Sequence, residues 1–205
     1  MTTNIKIYGD SRSGNCYKLQ LVCAELGIPY DWQEVDVMGG ETRSDAFLAM
    51  NANGRVPLLE LPDGRHLPES NAILWYLAAG SDLIPDDDYA AAEVLRWMFF
   101  EQYSHEPFIA VSRFIMKYLE SPPERQAELD GKQSGGYHAL EVMERQLAGH
   151  SFIAEDRFTV ADIALYAYTH VAHEGGFSLR SYPSINDWLT RVAARPNHVP
   201  MSISA

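Results

Sequence analysis

Cysteine is almost missing from this chain, whose 205 residues include only Cys16 and Cys23. On a helix the seven-residue step between them spans roughly 10 Å, beyond the ~7 Å Cα separation that a disulfide can bridge. A disulfide-stapled fold is therefore excluded. No Cys or His pair stands at zinc-finger spacing, so no metal is expected. Basic charge is also short, with 16 Lys and Arg against 28 Asp and Glu and a net charge of -12. Such a surface repels polyanions, and the scattered basic residues form no stripe that could track phosphates, which argues against nucleic acid as a partner. No apolar run approaches the ~18 residues of a membrane span. The opening Met-Thr-Thr-Asn-Ile-Lys-Ile-Tyr-Gly passes into strand-like alternation without a signal-peptide core. No membrane is expected, and the protein is read as cytoplasmic. What is present, 46% hydrophobic and 21% charged residues, is the composition of a globular chain with room for one large domain or two small ones.

The first third alternates strand and helix signals. Ile5, Ile7 and Tyr8 begin a strand that ends at Gly9-Asp10, and Ser11 to Asn15 form a polar turn. Leu19, Val22, Cys23 and Leu26 then recur at helical steps until Gly27 and Pro29 stop them. Tyr30 to Val37 alternates as a second strand, so the opening reads as a parallel β-α-β unit. A short helical segment follows at Phe47, Leu48 and Met50. Val56 to Leu61, the turn Pro62-Asp-Gly-Arg65 and His66-Leu67 make a hairpin. Glu69 to Ala79 reads as a helix closed by Gly80.

After Gly80 no strand is expected. A linker over 81–89 leads into helices near Tyr89–Leu119, Pro123–Leu147, Thr159–His173 and Pro183–Ala194. The fold class is thus an α/β domain at 1–80 followed by an all-α domain at 90–205. The first long helix carries Trp97, Phe99, Phe100, Tyr103, Phe108 and Phe114, more aromatic surface than one core stripe needs. It serves either ordinary core packing or a pocket or subunit contact.

Three places in the first domain could carry chemistry. Ser13-Gly-Asn-Cys16 sits where a strand passes into a helix, and the free N–H groups and dipole of a helix start favour a negative ligand atom. Its spacing is that of C-x-x-C with Ser in the first position; Ser13 also reads simply as an N-cap. Arg55-Val56-Pro57 opens a strand with a proline, which marks an edge, a bulge or a cis turn. With a cis bond, the Val56 backbone could pair with an extended peptide. Glu69-Ser70 begins a helix and could hold an amino-acid head group, Glu69 taking the ammonium and the helix start the carboxylate; an acidic first turn with a cap is the plainer reading.

In this order, and followed by a helical half, the three motifs make the chain resemble the glutathione transferase family over essentially its whole length. It looks most like bacterial members near the theta, delta and beta groups, whose activating residue is Ser or Cys. The resemblance implies a thioredoxin-like N-terminal domain that binds glutathione and a helical domain that shapes a second-substrate pocket. It implies Ser13 at the glutathione sulfur as the catalytic residue, Val56 on the cysteinyl backbone, Pro57 as a cis-proline, and Glu69 with Ser70 on the γ-glutamyl end. Arg55 and Thr42 fall near the glycyl carboxylate. Ser11, Tyr103, His105, Phe108 and Phe114 are candidates for the second-substrate pocket, with His105 a possible proton donor or a packed core histidine. A homodimer and a small electrophilic, apolar second substrate are implied as well. Thr159 and Asp162, in Phe158-Thr-Val-Ala-Asp, have capping-box spacing and are read as structural. Two other readings remain open: a glutathione-dependent peroxidase or thiol-disulfide oxidoreductase, the latter using Cys16, and a non-catalytic ligand-binding module.

Overall fold

The computed structural model describes residues 4–154 and 156–201, which divide into two units, one of residues up to Ser81 together with the chain from Asn197, the other Asp82–Pro196. In the first unit β1 (Ile5–Gly9) alternates, and Ile7 is fully buried. The helix α1 (Gly14–Leu26) starts at Ser13, whose side chain accepts from the Cys16 N–H, and ends at Gly27 with φ 64, a left-handed cap that glycine adopts without a Cβ clash. Strand β2 (Tyr30–Glu34) pairs parallel to β1. It is shorter than the alternation suggested, because Val35 turns in to join the core.

Ser44 caps α2 (Asp45–Met50), whose Phe47 packs with Val35 and Leu58, flanked by Tyr8, Met50 and Val56. Strands β3 (Leu58–Glu60) and β4 (His66–Pro68) form the antiparallel hairpin, and the sheet order is β2-β1-β3-β4. Helix α3 (Ser70–Ala78) buries Ile73, Leu74 and Ala78 and packs against α1. Ile73 and Leu74 each contribute ~1.5–3 kcal/mol on leaving water.

The second unit holds α4 (Asp88–Phe100), α5 (Glu106–Arg113), α6 (Gln126–Leu147), α7 (Val160–Thr169) and α8 (Pro183–Ala193). Where one helix was expected over Tyr89–Leu119, π-helical turns interrupt it at Glu101–His105 and Phe114–Tyr118. Pro107 explains the first, since it has no N–H for the ladder and its ring crowds the carbonyl one turn back. Every residue of α7 is buried, as expected for a helix enclosed on all sides. Asp87 caps α4, so the linker ends earlier than position 89. The chain from Asn197 joins the first unit rather than the helical one expected over 90–205: the Tyr17 hydroxyl donates to the Val199 carbonyl at 2.6 Å and the Asn197 amide to the Glu25 carbonyl at 3.4 Å. No helix among the described residues is long and apolar enough to cross a membrane.

Candidate functional site

Strand register brings three loops to one end of the sheet. Tyr8 pairs with Leu58 across β1 and β3, and Leu58 pairs with Pro68 across β3 and β4. The turn leaving β1 at Gly9–Ser13, the Val56-Pro57 entry to β3 and the Glu69-Ser70 exit from β4 therefore lie side by side. The Val56-Pro57 bond is cis, and Val56 precedes the β3 ladder.

The turn after β1 is held from several directions. The Asp10 carbonyl accepts from the Ser13 N–H at 2.9 Å. The buried Asp10 carboxylate accepts from the Arg12 N–H and Nε–H at 2.9 Å, and from the far guanidinium nitrogen at 2.6 Å. Ser11 donates to Glu34 through its backbone N–H, 2.9 Å, and its hydroxyl, 3.0 Å. Ser13 Oγ accepts from the Cys16 N–H at 3.4 Å, an N-cap geometry that uses a lone pair and leaves the hydroxyl proton able to donate. Cys16 is fully buried, and burial pushes its thiol up to about 12 despite a hydrogen bond with Ser13. It is therefore a protonated core residue. Tyr8 lies at the end of β1 but donates its hydroxyl to Glu60 at 2.6 Å.

At the third loop Glu69 is exposed with φ 72, a left-handed backbone that a non-glycine residue adopts at a cost of order 1–3 kcal/mol and that often marks a functional position. Next to it the first N–H groups of α3 have no acceptor within the helix. Ser70 is 5% exposed, and its hydroxyl lies 3.3 Å from Asn15 Oδ1 and accepts from Lys18 Nζ at 3.3 Å. Lys18, fully buried, also donates to Asn71 Oδ1 at 3.1 Å. This network ties the start of α1 to the start of α3. The sequence reading missed Asn15 and Lys18, although they stand three residues apart on one face of α1. Asn51 was missed too; its side chain holds the Arg55 carbonyl at 2.8 Å and accepts from the Asn53 N–H at 3.1 Å.

The remaining candidates separate. Arg55 is exposed beside Val56. Thr42 is buried, and its carbonyl stands 2.8 Å from where a Cβ on Gly54 would lie, so it braces the turn behind Arg55. In the helical unit His105 is fully buried with Nε2 2.9 Å from Thr169 Oγ1, whereas Tyr103 is 84% exposed; the two do not share a wall. Phe108 is half-buried and Phe114 exposed. A cavity of about 360 Å³ lies elsewhere, along the later turns of α1, walled by Gln20, Cys23, Tyr30 and Val199. No cluster of three or more His, Cys, Asp or Glu suited to a metal occurs among the described residues.

A mixed four-stranded sheet with a helix start and a cis-proline at one end, followed by an all-helical unit, defines a thioredoxin-like domain joined to an α domain. Residues 12–79 match the model of the glutathione S-transferase N-terminal domain and residues 108–196 that of the C-terminal domain; the chain belongs to the glutathione S-transferase family. The crystal structure of a glutathione S-transferase from Pseudomonas fluorescens Pf-5 is similar with a TM-score of 0.95 and 55% identity, covering 96% of this chain and 98% of that one. Glutathione S-transferase GstB of Escherichia coli K12 is 30% identical over 94% of each chain. The disulfide-bond oxidoreductase YghU of Escherichia coli K12 is 28% identical over 89% of this chain and 68% of its own.

Proposed function

We propose that the chain is a glutathione transferase in which Ser13 donates a hydrogen bond to the glutathione sulfur and holds it as the thiolate that attacks a small, apolar electrophile. The observation that carries this reading is the register that sets Ser13, the cis Val56-Pro57 peptide and Glu69-Ser70 side by side. An extended γ-glutamyl peptide matches that arrangement. Its backbone pairs with Val56 as an added strand, its α-carboxylate meets the α3 start and Ser70, its ammonium meets Glu69, and Arg55 faces the glycyl carboxylate. The name of YghU favours a disulfide as a second class of electrophile, attacked by the same glutathione thiolate rather than by Cys16, whose burial removes it from that role. A panel of chlorodinitrobenzene, an organic hydroperoxide and a mixed disulfide tests turnover and separates these classes; no glutathione-dependent activity on any of the three leaves the non-catalytic reading standing.

Binding is tested separately from turnover. Glu69→Ala removes the partner of the ligand ammonium and is expected to weaken glutathione binding by ~1.5–3 kcal/mol. Calorimetry that shows equal affinity for the variant and the native protein overturns the assignment of Glu69.

The helical unit supports a homodimer. Tyr89, Ala92, Arg96, Phe99 and Tyr103 recur at three- and four-residue steps, all exposed, with Tyr89 at 73%, Phe99 at 69% and Tyr103 at 84%. Three aromatics in one stripe, with Arg96 among them held by Glu93 at 2.7 Å, make the kind of face a second copy covers. Light scattering at micromolar concentration is expected to return a dimer mass for the native protein and a monomer mass for Phe99→Lys. A native monomer refutes the assembly.

A further inference from the structure

The turn that presents Ser13 is anchored from outside by one exposed carboxylate. Glu34, the last residue of β2, accepts from the Ser11 N–H and hydroxyl with one oxygen, at 2.9 and 3.0 Å, and from the Trp32 indole N–H with the other, at 2.7 Å. Trp32 in turn presses on the start of the turn: a Cβ on Gly9 would stand 2.5 Å from its ring. The Gly9 carbonyl is held by the Val35 N–H at 2.8 Å. Glu34 thus fastens the middle of the turn to the strand whose next residue fastens its beginning.

Two hydroxyls, Ser11 and Ser13, lie in this turn, and a thiolate accepts from either. Their hydrogen bonds divide their roles. The Ser11 proton is directed to Glu34, whereas the Ser13 oxygen faces the α1 start as an acceptor.

We infer that Glu34 is a positioning residue for the thiolate site: by holding Ser11 on the end of β2 it fixes the turn from which Ser13 faces the ligand sulfur, and it keeps the Ser11 hydroxyl out of that role. This rests on the role of Ser13 proposed above. Glu34 touches neither ligand nor reacting atom, and its charge on its own works against the reaction, since an anion near a thiolate disfavours it. That opposition gives the test its sign. If Glu34 acts only through its charge, removing it lowers the thiol pKa of bound glutathione. If it acts by position, removing it raises that pKa.

The experiment compares the native protein with Glu34→Gln and Glu34→Ala. Gln keeps the size of the side chain but offers one acceptor oxygen, so one of its two anchors faces an N–H donor; Ala removes both. Amide exchange of the 9–16 segment, measured without ligand, is expected to quicken about 10-fold or more in Glu34→Ala, with the melting temperature close to native. The ultraviolet titration of bound glutathione is expected to shift up by about one unit, and kcat with chlorodinitrobenzene to fall about 10-fold, while KM for glutathione stays within about 3-fold. Glu34→Gln is expected to fall between. A thiol pKa that is unchanged or lowered in both variants, with a depressed pKa in the native protein, overturns the role of Glu34 alone. A native protein that leaves the thiol of glutathione at its free value overturns the Ser13 reading, and this inference with it.

Discussion

Ser13→Ala is expected to raise the pKa of the bound glutathione thiol by one to two units and to slow conjugation about 10- to 100-fold, or ~1.4–2.7 kcal/mol. A free thiol at pKa ~8.5 is mostly protonated at neutral pH. One hydrogen bond to the anion contributes ~1.5–3 kcal/mol, and the start of α1 adds ~0.3–1. At ~1.36 kcal/mol per unit, the hydroxyl accounts for most of the shift and no base is required. Losing the hydroxyl leaves the dipole of α1 in place, so some lowering persists. Cys16→Ala is expected to leave both quantities nearly unchanged, because that thiol is buried and protonated. Ser11→Ala keeps the backbone anchor to Glu34 and is expected to cost less than Ser13→Ala. Titrating the thiolate absorbance for the three variants decides the matter; activity lost only in Cys16→Ala restores the oxidoreductase reading.

The three loops of the candidate site were legible in the sequence because each is announced by local chemistry: a serine before a helix, a proline at a strand start, an acid and a serine at the next helix. What joins them was not legible. Lys18 reads as a surface lysine in any helical pattern, yet it is fully buried between α1 and α3, holding Ser70 and Asn71. Glu34 lies in a polar, alternating strand and acts on a residue 23 positions away. Pairings of this kind depend on which strand ends meet, and periodicity says nothing of that. The helical half was legible as helices, since their apolar steps are local, but the π turns were not; Pro107 marked the break without telling how the helix would absorb it. His105 and Tyr103, two residues apart, look equivalent as pocket candidates in the sequence and differ completely in burial once the π turn sets their directions.

Asp162 combines both kinds of information, and the largest loss of stability is expected there. Its spacing from Thr159 predicts a capping box, and the box is present at the start of α7. The carboxylate does more than cap. One oxygen accepts from the Ile153 N–H and the Trp188 indole N–H, both at 2.9 Å; the other accepts from the Thr159 N–H at 2.9 Å and its hydroxyl at 3.2 Å. It thereby joins α7, α8 and the loop before α7, and it is fully buried. Asp162→Asn keeps the shape but turns one acceptor oxygen into a donor that faces two donors. Its expected cost is ~3–5 kcal/mol, in the range for breaking a buried polar partnership. That is a large share of a typical total of ~5–15, and it corresponds to a fall in melting temperature of roughly 6–20 °C. Thr159→Ala, which removes the cap and one of the four bonds to the carboxylate but leaves its charge and other partners in place, is expected to cost less, ~1–2 kcal/mol. Burial pushes the Asp162 carboxyl up to about 6 from 3.8, against the four hydrogen bonds that pull it down. The folded state therefore binds this proton more tightly than the unfolded chain, so its contribution is full below pH 3.8 and is lost as the pH rises through about 6. Between pH 5 and 7 the native protein should lose on the order of 1 kcal/mol that Asp162→Asn does not lose. Urea unfolding of both proteins at the two pH values checks this, and a gap between them that stays constant with pH places the Asp162 carboxyl near its ordinary value in the folded state.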